Sequence, residues 1–128
     1  MALTQLRQKS EDFVCGDALA VERTIAGIPT GLTLTTARLT IKAVATDLDA
    51  AAILQLTITS AVTSSGQITN TGSSGTGAVR FTLSGAQTVL LTPRREYAFD
   101  IQVNTSDGAP YTPCKGTMIG EQQITIVS

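Results

Sequence analysis

Apolar and polar residues alternate in short bursts along this chain, and the clearest burst lies in its last quarter. Tyr97, Phe99, Ile101 and Val103 take every second position, with Ala98, Asp100, Gln102 and Asn104 between them. A period of two puts the two sets on opposite faces of a strand. Ser106-Asp107-Gly108 follows as a tight-turn sequence in which Gly108 is free to take positive φ. The chain then returns from Tyr111 to Met118, which predicts a half-buried antiparallel hairpin. Leu19, Val21 and Ile25 alternate with Ala20, Glu22 and Thr24, but Arg23 falls on the apolar side and implies a bulge or a strand near an edge. Ala37, Leu39, Ile41 and Ala43 oppose Arg38, Thr40 and Lys42; Leu54, Leu56 and Ile58 oppose Gln55, Thr57 and Thr59; Val79, Phe81 and Leu83 oppose Arg80 and Thr82. Ile124 and Ile126 predict a last short strand.

The segments between are of other kinds. Met1 to Asp12 mixes charges without a period and reads as an N-terminal arm, leaving residues 13–128 as one domain. Gly27 to Gly31 is a turn-rich link, and Asp47 to Ala52 reads as a short helical turn with an acidic residue placed to cap it. Ser64 to Gly77 is low in complexity and reads as a mobile loop around one short strand at Ile68. Seven to eight short strands, with turn signals about every ten residues, predict an all-β chain folded as a single antiparallel β-sandwich with an extended N-terminal arm.

Composition narrows the function more than the fold. A chain of 128 residues has room for one domain with one core. Charged residues make up only 15%, and Thr, Ser and Gly fill the shortfall; such a surface suits a protein packed against neighbours. Net charge is −1 and Arg94-Arg95 is the lone basic pair, so nothing marks a nucleic-acid partner. No apolar run approaches the ~20 residues that span a bilayer, and the first ten residues lack the apolar stretch of a signal peptide. The expectation is synthesis in the cytoplasm, with no membrane partner.

The chain has no histidine, which removes the Ser-His-Asp triad, the Cys-His pair and every His-containing metal site. Two cysteines, Cys15 and Cys114, are too few for a structural zinc site. A bridge between them would close a loop of roughly 100 residues, but a cytoplasmic chain favours buried free thiols. Gly72-Ser-Ser-Gly-Thr-Gly77 has the composition of a phosphate loop without the following helix and Lys. Asp47 and Asp49 lack the further acids and closing Glu of a calcium loop. Asp100 belongs to a solvated or interfacial strand face rather than to a pair of catalytic carboxylates. Tyr111, between Pro110 and Pro113, reads as a turn-flanking core aromatic, with a partner anchor as the alternative. No cofactor, metal or catalytic residue is expected.

Taken in order, Phe13-Val-Cys-Gly-Asp17, Ala37-Arg-Leu-Thr-Ile-Lys42, Phe81-Thr-Leu83, Thr88 to Pro93, Tyr97 to Val103, Asp107-Gly108, Thr112, Lys115-Gly-Thr117 and Gln123-Ile-Thr125 resemble the small β-sandwich modules of tailed-bacteriophage virions. The nearest likeness is to the N-terminal domain of upper baseplate proteins, and it extends over nearly the whole chain. The resemblance implies an Ig-like sandwich that docks on other virion proteins and has no enzymatic role. In baseplate proteins further domains follow, whereas this sequence stops at Ser128, just after the last expected strand. That departure shifts the expectation to a capsid cement or head-decoration protein located in the virion, multi-copy or homo-oligomeric, whose partner is the major capsid protein. A tail, baseplate or fibre adaptor is the next expectation, and a carbohydrate-binding adhesion module a third, weakened by the shortage of aromatics. The residues expected to meet partners are Leu3, Leu6 and Arg7 in the arm, with Arg94, Arg95 and Tyr111 in the domain.

Overall fold

A computed structural model of the chain describes residues 9–44, 46 and 51–122. Among the described residues there are eight strands and one short helix: β1 Lys9–Val14, β2 Leu19–Ala26, β3 Leu34–Lys42, β4 Leu54–Ile58, β5 Gly66–Asn70, β6 Thr76–Leu83, α1 Gly85–Thr88, β7 Glu96–Thr105 and β8 Pro110–Glu121. They form two sheets, one ordered β1-β8-β7-β3-β4 and the other β2-β6-β5. The protein is all-β, as its alternating pattern predicts.

The expected central hairpin is present. Tyr97, Phe99, Ile101 and Val103 are all buried, and Phe99, Ile101 and Val103 lie opposite Ile41, Leu39 and Ala37 of β3. Leu56 and Leu54 of β4 extend two of these rows from Leu39 and Ile41. Across the turn, Gly108 has φ 84°. The Asp107 carboxylate accepts from the Thr105 hydroxyl and from the Ala109 N–H, and these bonds hold its carboxyl below its ordinary value. On the outer face Asp100 sits between Thr40 and Lys115 in a polar row. Val21, Ile25, Ile68, Val79, Phe81 and Leu83 supply the smaller sheet's share of one continuous core.

Two expectations need correcting. The sheets are not wholly antiparallel: β1 runs parallel to β8, from Lys9 opposite Gly116 to Val14 opposite Glu121. Lys9 to Asp12 are therefore strand, where an arm was expected through Asp12. Backbone pairing to β8 makes this strand without any apolar alternation in Lys9-Ser-Glu-Asp12.

The second correction concerns Ser64 to Gly77: the short strand expected at Ile68 is present as β5, but it pairs with β6, which begins at Thr76, so the stretch is a hairpin where a loop was expected on either side. Its inner positions include glycines because neighbouring chain comes too close for a side chain. A Cβ on Gly77 would sit 2.8 Å from Leu34 Cδ1 and 2.9 Å from Asn70 O. Of the two readings of Arg23, a bulge or an edge, the structure shows the edge. The β2–β6 register is unbroken from Leu19↔Leu83 to Ala26↔Thr76, and β2 is an edge strand. Arg23 points inward there and its guanidinium donates to Glu22 O at 2.6 Å; an inward charge on an edge strand discourages addition of a further strand. The helical turn expected at Asp47 to Ala52 and the strand expected at Ile124 and Ile126 lie wholly or mostly outside the described residues.

Candidate docking surface

One end of the domain brings exposed apolar and charged side chains together. It begins at Ser84, whose Oγ accepts from Gln87 N at 3.2 Å while Gln87 Oε1 accepts from Ser84 N at 2.8 Å. This reciprocal pair starts α1. Thr88, with 0% exposure, then fastens the helix to the turn after β1. Gly16 N donates to Thr88 Oγ1 at 3.0 Å, and that hydroxyl donates to Asp17 O at 2.8 Å. Thr88→Val keeps the shape but removes the partner of the part-buried Gly16 N–H and Asp17 carbonyl, so it is expected to lower stability by about 1–2 kcal/mol. Urea denaturation monitored by circular dichroism measures the loss.

The chain beyond α1 is equally well held. Leu91 is fully buried, Thr92 N donates to the Tyr97 hydroxyl at 2.7 Å, and Arg94 N donates to Gly120 O at 2.7 Å. Arg94 takes φ 67°, the one positive value at a described non-glycine residue. That conformation costs roughly 1–2 kcal/mol for an L-residue, and the bond to β8 holds it. Arg95 lies over the Tyr97 ring, its Cζ 5.3 Å from the centroid, within cation–π range. Between these anchors Val89 and Leu90 are 62% and 58% exposed.

Carboxylates share this end. Cys15 N donates to Glu121 O at 2.9 Å and Asp17 N to Val14 O at 3.0 Å, so Asp17 and Glu121 stand beside the loop. Glu96 opens β7 opposite Ile119. Arg94, Arg95, Asp17, Glu96 and Glu121 are all exposed. The Cys15 thiol beneath is pushed up by burial, with the Glu121 charge adding and a backbone hydrogen bond opposing. A raised thiol is a weak nucleophile. Both cysteines are free and buried.

The expected partner residues divide between places. Arg94 and Arg95 are exposed at this end. Tyr111 is at the far end of the same sheet, opposite Val103 and partly buried against the core. Leu3, Leu6 and Arg7 lie outside the described residues. Sequence reasoning missed Val89 and Leu90. The signal for them was Ser84-x-x-Gln87, a capping-box pattern that places a helix just before the apolar run Val89-Leu-Leu91.

Other surfaces are less developed. On the smaller sheet a shallow concavity of about 510 Å³ is lined by Glu22, Arg23, Thr24, Thr69, Ala78, Val79 and Arg80. Its most prominent feature is an exposed Glu22–Arg80 ion pair at 3.1 Å. Among the described residues no cluster of three or more His, Cys, Asp or Glu is placed to hold a metal ion. Phe13, Phe81, Phe99 and Tyr97 are buried, which leaves only the partly buried Tyr111 for a sugar platform. No helix of the described residues is long and apolar enough to cross a membrane. The chain matches no protein-family profile and no curated protein.

Proposed function

We propose that the chain is a non-enzymatic structural protein of a tailed-phage virion, an Ig-like sandwich acting as a capsid cement or head-decoration protein. The observation that carries this reading is the Val89–Leu90 pair, held out to solvent by a rigid scaffold of buried Thr88, buried Leu91 and the bond from Arg94 to β8. Exposed apolar residues scattered singly are ordinary. Two adjacent ones on an immobilised loop, flanked by arginines, have the make-up of an interface anchor with a polar rim. Fully burying a side chain of this size in a partner gains ~1.5–3 kcal/mol. Repeated over many copies, such contacts reinforce a shell without any chemistry. The small, weakly charged remainder of the surface agrees with a life in contact with other proteins.

Quantitative mass spectrometry of purified particles of the virus that encodes the chain tests this proposal. A cement protein is present at a copy number comparable to the major capsid protein. A few copies per particle would make it a tail or baseplate adaptor, and absence from particles would refute the virion role.

A further inference from the structure

We infer that the end built from Val89, Leu90, Arg94 and Arg95 pairs with the same end of a second copy of this chain, related by a two-fold axis. The inference rests on reading this end as an assembly contact, and it names the partner. The argument is the balance of charge around the apolar pair. Arg94 and Arg95 stand beside Glu96 and Glu121, with Asp17 across the loop, and all five are exposed. Hydrogen bonds fix them as neighbours: Arg94 N to Gly120 O, Cys15 N to Glu121 O, and Thr88 Oγ1 to Asp17 O.

Neither sign dominates, so an acidic partner meets carboxylates here and a basic one meets arginines. A two-fold copy meets complementary charges, because an isologous contact sets each residue away from the axis against a different residue of the same surface, while those at the axis meet their own counterparts. The arginines of one copy then face the carboxylates of the other, and Val89 and Leu90 pack near the axis. The apolar pair supplies most of the affinity, and the charges fix register and make the association sensitive to salt. Strand addition at β2 is a poorer route to a dimer, since Arg23 points inward on that edge.

Sedimentation equilibrium of the full chain over a wide concentration range reads the pairing. The expected result is a weak monomer–dimer equilibrium that rising salt shifts toward monomer. Leu90→Asp, at an exposed position that leaves the core intact, is expected to weaken pairing about tenfold or more. A double variant Arg94→Glu/Arg95→Glu makes the end acidic, and Glu96→Arg/Glu121→Arg makes it basic. Each alone is expected to pair more weakly than the wild type, while an equimolar mixture of the two recovers association. A chain monomeric throughout, a Leu90→Asp variant that pairs as before, or a mixture that fails to associate would overturn the inference. Particle binding is read separately. A monomeric chain that still binds particles sinks only the pairing, whereas a pairing chain that binds none sinks the virion reading.

Discussion

Phe81→Ala is expected to destabilise the domain by ~3–5 kcal/mol, a large share of the roughly 5–15 kcal/mol that holds a domain of this size together. Phe81 has 0% exposure. It sits on β6, the middle strand of the smaller sheet, opposite Val21 on one side and Gly66 on the other. The chain has five aromatic residues and no Trp, so few neighbours are large enough to collapse into the space left behind. Thermal unfolding is expected to shift down by roughly 10–20 °C. Phe81→Leu, which keeps most of the volume, is expected to cost well under half as much. Equal losses for the two variants would mean that ring volume is not what matters at this site.

Gly66→Ala is expected to cost about 3 kcal/mol or more, for a different reason. Gly66 has φ 126°, and a Cβ there would run into the carbonyl oxygen of Arg80, a backbone group that cannot move without breaking the β5–β6 pairing. Gly31 and Gly108 are the controls. Both have positive φ, 85° and 84°, but a Cβ at either meets nothing within 4 Å. Their Ala variants are expected to show only the conformational penalty of about 1–2 kcal/mol. Urea midpoints for the three variants separate collision from conformation. Gly66 and Phe81 are cross-strand partners, so their effects are not expected to add in the double variant.

These two residues also show which parts of the fold were legible. Phe81 was readable because Val79, Phe81 and Leu83 repeat every second position, and burial on one face enforces that period. β3, β4 and β7 were readable for the same reason. Gly66 was less so: Ile68 marked a short strand at β5, but Gly66 and Gly77 face inward where the neighbouring chain leaves no room for a side chain, so no apolar residue gives the extent of the pairing. β1 was hidden in another way: it is held as a parallel edge by β8, and that pairing needs no pattern in Lys9-Ser-Glu-Asp12. Arg23 left a bulge and an edge both open, since an inward charge on an unbroken edge strand leaves the same mark in sequence as a bulge.

The docking end was legible in part. The basic pair Arg94-Arg95 stood out, but its neighbours are brought in by tertiary contacts. Thr88 joins the turn after β1, and Arg94 joins the end of β8. No local pattern announces that Asp17 and Glu121 share a surface with Val89 and Leu90. Tyr111 was read as a core aromatic with a partner role as the alternative, and its half-buried place against the core fits the first description.

The central claim is that this module works by binding a virion, and co-sedimentation of the purified chain with empty heads, and separately with tails, tests it most directly. The account predicts saturable binding to heads in hundreds of copies. Sedimentation with neither particle at saturating concentrations would contradict it.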